Sequence, residues 1–112
     1  MAGPNNVQNI NGSTAANITG AAIPAAFIFN ASAQAVATGS PTGTVRFQAS
    51  NDPPVPGQLP TNWTDIASQT VSVSAAGTFL IPKFDICYQW IRTVYTGSGT
   101  GTIIVNVKTS SY

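Results

Sequence analysis

Between Ile86 and Lys108 the chain holds two runs rich in aromatic and β-branched residues, Ile86–Thr96 and Thr102–Lys108. The glycine-dense segment Gly97-Ser98-Gly99-Thr100-Gly101 separates them. Runs of period two joined by such a segment predict a β-hairpin with a longer-than-minimal turn. Pairing Thr96 with Thr102 sets Tyr95 against Ile103, Thr93 against Val105 and Ile91 against Val107, an apolar side suited to a core. The other side then carries Trp90, Arg92, Val94, Ile104, Asn106 and Lys108. A slip of one residue would exchange the two sets, because side chains alternate strictly along a strand.

The same period recurs upstream. Phe27–Val36 alternates from Phe29 to Ala35 and predicts a half-buried strand with Phe27, Phe29, Ala31 and Ala33 inward. Gly39 and Pro41 mark a turn. Thr44–Ser50 follows with Val45, Phe47 and Ala49 inward and Arg46, Gln48 and Ser50 outward, so these two strands form a second predicted hairpin. Asn51–Thr61 holds four prolines and a glycine. Proline lacks the ladder donor, so this stretch reads as a projecting loop. Order resumes at Trp63–Ile66. Gln69–Val73 is a short strand with Val71 and Val73 inward, Ala75-Ala76-Gly77 turns the chain, and Thr78–Ile81 is a further short strand stopped by Pro82. Short strands with close turn signals and no helical period predict an all-β fold, an antiparallel β-sandwich of jelly-roll type.

Residues 1–25 differ in character. They are Asn, Gly, Ala, Thr and Ser with isolated Val7, Ile10, Ile18 and Ile23, and no ionisable side chain precedes Arg46. Two readings stand: a loose tail, or an extended N-terminal arm whose near-neutral strand lies on neighbouring subunits. The expected organisation is therefore an arm over 1–25 and a sandwich domain over 26–112, with Val7, Ile10 and Ile18 as candidate partner-binding residues of the arm.

Composition narrows the function. Hydrophobic residues make up 43% of the 112, but 15 of them are alanines, so bulky core formers are few. A domain so small buries little core, which favours stabilisation by partner chains and a homo-oligomeric setting. Only 6% of the residues are charged, and the net charge is +1. Four scattered cations make no phosphate-binding stripe, which argues against nucleic acid. Weak self-repulsion suits packing into an assembly. A single cysteine, Cys87, excludes an internal disulfide framework and reads as a small buried hydrophobe in a strand. No basic, apolar leader and no membrane-length apolar run stands out, which points to synthesis in a cytoplasm and no membrane partner.

No catalytic machinery or cofactor site emerges. The chain has no histidine to activate a serine or Cys87. Asn51, Asp52 and Asp65 offer too few oxygens for a hard cation and read as turn and cap residues. A glycosidase-type pair drawn from Asp52, Asp65 and Asp85 is a poor match. The segment Gly97–Gly101 lacks the Lys-Ser/Thr and the helix of a phosphate cradle. Trp90, Arg92, Asn106 and Lys108 are the more promising set. In the register above they share one side, where Lys108 would stack on Trp90, and aromatics with Arg are enriched at interfaces. A second sheet over that side would instead make Trp90 core. Trp63 reads as core or, failing that, as a platform for stacking a sugar.

The order of parts resembles a known family. Gly43-Thr-Val-Arg-Phe-Gln-Ala-Ser-Asn-Asp52, Asn62-Trp-Thr-Asp-Ile66, Tyr88-Gln-Trp-Ile-Arg-Thr-Val-Tyr95 and Gly99-Thr-Gly101 before a final strand are similar to small β-sandwich virion proteins of tailed bacteriophages. The likeness is nearest to capsid decoration proteins of the cement or staple type, whose jelly-roll-like subunits clamp neighbouring major capsid proteins. It covers about residues 26–108, and its motifs are structural. The resemblance implies a non-enzymatic protein of the virion at the capsid surface. Its partners would be the major capsid protein and further copies of itself. The runner-up is a carbohydrate-binding or structural module of a tail fibre or spike, using Trp63 and the loops. Where related chains run nearly straight from Ser-Asn-Asp to the tryptophan, this one inserts Pro53–Thr61.

Overall fold

The structure is a computed structural model that describes residues 5–111. Nine strands run in chain order: β1 Asn5–Ser13, β2 Ile18–Thr19, β3 Ile23–Pro24, β4 Ile28–Ala37, β5 Ser40–Ser50, β6 Thr64–Val73, β7 Gly77–Asp85, β8 Trp90–Thr100 and β9 Thr102–Ser111. One sheet has the order β1-β9-β4-β7, and the other has β2-β8-β5-β6 with β3 also on β8. Counting β2 and β3 as one interrupted strand, these are the two four-stranded sheets of an eight-stranded jelly roll. All of the pairings are antiparallel.

The expected fold class is thus observed, but not through the expected hairpins. β4 and β9 lie in one sheet, β5 and β8 in the other. Neither β4–β5 nor β8–β9 pairs, and each turn carries the chain across the sandwich instead. Ile91, Thr93 and Tyr95 are fully buried, as are Ile103, Val105 and Val107, so both strands do turn those residues to the core. They face it from opposite sheets. A period-two pattern fixes which side chains point inward, and that is equally satisfied by pairing in one sheet or by stacking across two. The corner is tight, with Gly101 (φ 117°) alone between β8 and β9.

Residues 5–24 are likewise part of the sandwich rather than an arm. β1 pairs with β9 from Asn5↔Thr109 to Ser13↔Thr102, while Ile18 pairs with Tyr95 and Ile23 with Ile91. Ile10 is 2% exposed and Ile23 7%. The isolated isoleucines of this polar segment are its core contacts, and the uncharged residues between them suit edge strands with one solvated face. Residues 1–4 of the expected arm lie outside the described residues.

Three local expectations change with the register. An irregularity between Ile28 and Asn30 opposite β9 sets Ile28 against the core and leaves Phe27 77% exposed and Phe29 outward. Pro82 does not stop its strand. It sits in β7, an edge strand, where the pairing with β4 jumps from Ala33↔Ile81 to Ala31↔Phe84, a bulge that needs no donor from proline. Cys87 is exposed in the β7–β8 connection, and the buried neighbour is Ile86. The core is otherwise as patterned, with Val45, Phe47, Val73 and Ile81 at or below 1% exposure and Phe47 edge-on to Phe84 at 4.8 Å.

One polar clamp ties the sheets at a corner. Asn9 stands where the β1 register jumps between Gln8 and Ile10. Its Oδ1 accepts from the Thr93 N–H (2.8 Å) and the Thr93 hydroxyl (2.6 Å), and its Nδ2 donates to the Ala21 carbonyl (2.9 Å). The side chain fills the ladder gap between β2 and β3, satisfying a buried donor that would otherwise cost about 1–3 kcal/mol.

Candidate functional site

The sandwich has two unlike ends. At one, the chain turns through 14–17, 38–39, 74–76 and 101; at the other, through 25–27, 51–63 and 86–89. The second end carries the long proline loop, and most of the unusual side chains gather around it.

The loop is closed at its base by Asp52. The carboxylate accepts from the backbone N–H of Thr61 (2.7 Å) and Asn62 (3.0 Å) and from Asn62 Nδ2 (2.9 Å). These bonds, the Asn62 side chain foremost, hold the Asp52 carboxyl below its ordinary value of 3.8. At its tip the loop turns through Val55-Pro56-Gly57-Gln58, with Gln58 N–H donating to Val55 C=O (3.0 Å) and Gly57 at φ 79°. Proline followed by a positive-φ glycine is the type II turn signature. Val55 and Leu59 project from it, the latter 77% exposed.

Above the loop, the outer face of the β8–β5–β6 sheet carries a connected row. Arg92, Gln48 and Asp65 are direct cross-strand neighbours. Arg92 Nε donates to Gln48 Oε1 (2.9 Å), Gln48 Nε2 donates to Asp65 Oδ1 (2.9 Å), and Arg46 lies 3.6 Å from Asp65 Oδ2. The Arg92 guanidinium sits 4.1 Å over the Trp63 ring, and partial burial lowers its pKa. Trp63 Nε1 donates to Pro60 C=O (3.2 Å), and Trp90 Nε1 donates to Asp52 C=O (3.0 Å). Both tryptophans are half-buried. They lie outside the core cluster and clip the loop to the sheet.

The partner-binding residues expected from the sequence do not form one surface. Trp90 and Arg92 lie on the outer face of one sheet, Asn106 and Lys108 on the outer face of the other, so Lys108 cannot stack on Trp90. The cation that meets a tryptophan is Arg92, and its ring is Trp63. Val7 and Ile18 are partly buried against the core and Ile10 is inside it. Arg92–Trp63 escaped the sequence because it depends on the loop folding back, which strand period does not encode. Among the described residues, no three His, Cys, Asp or Glu side chains lie together. Asp52 and Asp65 are committed to the loop base and the cross-strand row.

Two clefts open at this end. One, of about 270 Å³, lies between the start of β6 and Tyr88 and is lined by Ala49, Asn51, Asn62, Thr64, Asp65 and Ile66 among others. The second, about 460 Å³, lies among the three connections beside Ala25, Ile28, Cys87 and Gln89.

No family model and no curated protein matches the sequence. Solved structures do. The PBSX exported protein XepA superposes with a TM-score of 0.73 at 15% identity over 96% of this chain, which spans 37% of XepA. The SPBc2 prophage-derived protein YomS gives 0.67 at 13% identity, covering 99% of this chain and 96% of that one. A subunit of Bacillus endospore appendages, described as disulfide-linked pili, gives 0.51 at 16% identity over 100% and 92%. At these identities the likeness establishes the shared β-sandwich fold.

Proposed function

We propose that this chain is a structural protein of a bacteriophage particle and that it decorates the capsid, stabilising the shell of the major capsid protein together with neighbouring copies of itself. The observation that carries the reading is the near end-to-end match to the SPBc2 prophage-derived protein, at 99% of one chain and 96% of the other. The sandwich common to the pair makes up nearly all of each. The PBSX exported protein contains the same sandwich within a longer chain. A role in assembly rather than catalysis fits a surface with seven charged side chains in the whole chain, too few to keep copies apart.

In this reading the contact with the capsid runs through the loop end. Phe27, Val55 and Leu59 are exposed large hydrophobics on two connections of that end, and Trp90 and Arg92 flank it. Exposed apolar groups with Trp and Arg at their border match the make-up of interface centres. The test is co-sedimentation of the purified chain with shells of the major capsid protein. The wild-type chain pellets with the shells. Leu59→Asp and Phe27→Ser abolish or strongly reduce pelleting while the melting transition stays in place. Failure of the wild-type chain to pellet with the shells rejects the capsid assignment.

A further inference from the structure

We infer that the cleft between the start of β6 and Tyr88 is a binding site for a neutral sugar ring. The starting point is the orientation of two amides. Asn51 Oδ1 accepts from the Gln89 N–H at 3.0 Å, so its carbonyl is spoken for and its Nδ2 group has no partner among the described residues. Asn62 Nδ2 donates to the Asp52 carboxylate at 2.9 Å, so its Oδ1 is the end left over. An N–H partner can meet only the amide oxygen, and a carboxylate only the amide nitrogen, so each orientation follows from its partner's chemistry. Both residues line the cleft, whose wall therefore includes one amide end left to donate and one left to accept. Neighbouring hydroxyls of a sugar each donate and accept, and such a pair meets them without reorganisation.

The remaining lining suits the same ligand. Thr64 adds a hydroxyl, and Ala49, Ile66 and the Tyr88 ring supply apolar surface for the C–H face of a pyranose. The two aspartates nearby are matched in charge by two arginines of the same sheet face, Arg46 at 3.6 Å from Asp65 and Arg92 bonded to the Gln48 that also meets Asp65. A volume of about 270 Å³ lies just below the ~300–1,000 Å³ of sites for drug-sized ligands, which fits a single ring unit.

A strained backbone borders the cleft. Between Arg46↔Thr70 and Gln48↔Asp65 the pairing of β5 with β6 skips four residues of β6 against one of β5. Within that bulge Ser68 stands at φ 66°, a left-handed conformation that non-glycine residues adopt only at an energetic cost. The bulge swings Ile66 and Ala67, two lining residues, out of the ladder and shapes one wall of the cleft. Bulges and strained residues cluster at binding sites. Trp63 is not the platform in this arrangement, because Arg92 already occupies a face of its ring.

The cleft opens at the end that the capsid reading seats on the shell, so the inference concerns the free chain, and its test needs no shell. Its test is a ¹H–¹⁵N titration of the full chain with glucose, galactose, mannose, N-acetylglucosamine and rhamnose, each taken to high millimolar concentration. At least one sugar should give saturable shifts confined to the amides around Asn51, Asn62, Thr64 and Tyr88. Asn51→Asp keeps the acceptor for Gln89, replaces the free donor with a charged acceptor, and should weaken binding by about ten-fold. Thr64→Val keeps shape, removes a hydroxyl and should weaken it several-fold. Both variants should retain the wild-type fingerprint elsewhere. The absence of a saturable shift with any sugar overturns the site, as do shifts centred on Trp63 or affinities unchanged in both variants.

Discussion

The two ends of this jelly roll solve the problem of turning a chain in opposite ways. At the glycine end, strands run almost into one another. β8 and β9 are separated by Gly101 alone, β4 and β5 by Thr38 and Gly39. The Thr38 and Thr102 hydroxyls meet at 2.8 Å across the two corners. Beneath them Gly43 pairs with Gly97, and Tyr95 lies against both, its ring at Gly43 and its hydroxyl at Gly97. The single O–H of buried Tyr95 is shared between the carbonyls of Thr14 and Ser98, at 3.2 Å from each, and burial raises its pKa. At the loop end the connection from β5 to β6 takes thirteen residues, 51–63, and it is held by side chains that reach back to the sheet rather than by close backbone contact. The lesson is that one end is built from missing side chains and the other from added ones. Added atoms should therefore be harmful at the first, and removed atoms consequential at the second.

The sharpest way to break that contrast is to add a methyl group at each end. A Cβ at Gly97 would run into Thr42 C=O, Gly43 Cα and the Tyr95 hydroxyl, whereas one at Gly57 meets nothing within 4 Å. Gly97→Ala is expected to cost about 3 kcal/mol, the upper range for overpacking. Gly57→Ala should cost about 1 kcal/mol, through its positive φ alone. Thermal or urea unfolding measures both, and equal losses would erase the distinction between the ends.

The next effect has the opposite sign. Thr14 is fully buried at the glycine end, and its hydroxyl has no hydrogen-bond partner among the described residues. Thr14→Val keeps the shape and removes the stranded group, so it should stabilise by about 1 kcal/mol. A loss of stability in urea unfolding would mean that the hydroxyl is bonded.

At the loop end, a double-mutant cycle on Trp63 and Arg92 should return a coupling of about 0.5–1 kcal/mol, the range for a cation over an aromatic face near the surface. Additive losses from Trp63→Leu and Arg92→Met would show that the contact clips nothing.

The last effect is local and depends on pH. Asp52 is bound by N–H donors in its ionised form, and its folded pKa is depressed below 3.8. The closure it provides is fully present above that value and is lost as pH falls through the lower folded one. The amide resonances of Thr61 and Asn62 should therefore titrate at acidic pH with a midpoint below 3.8. A midpoint at or above that value would contradict the closed base.

Much of this architecture was legible in the sequence, because inward positions follow from alternation alone. Val45, Phe47, Ile91, Tyr95, Val105 and Val107 were placed correctly on that ground. Which strands pair was not legible. Gly97–Gly101 reads as a hairpin turn by composition, and only the tertiary path reveals β8 running on to Thr100 and crossing sheets at Gly101. The place of residues 5–24 in the sandwich is hidden for a related reason. β1–β3 are edge strands with few apolar residues, and the polar Asn9 that anchors them to Thr93 carries no signal in a segment rich in asparagine. At the candidate site, Trp63, Trp90 and Arg92 stood out as residue types. Their grouping by one β8–β9 register failed, since Asn106 and Lys108 belong to the other sheet. Of the cleft amides, Asn51 reads only as a turn or cap residue and Asn62 carries no site signal, because their bonds reach partners 38 and 10 residues away.

The most direct test of the proposed function is a cryo-EM reconstruction of particles purified from cells that produce this chain. The account predicts jelly-roll density on the outer capsid surface. The end bearing Phe27, Val55 and Leu59 should be seated on the major capsid protein, and the glycine end should be turned to solvent. Jelly-roll density confined to the tail, no density for this chain on the particle, or the reverse orientation on the shell would contradict it.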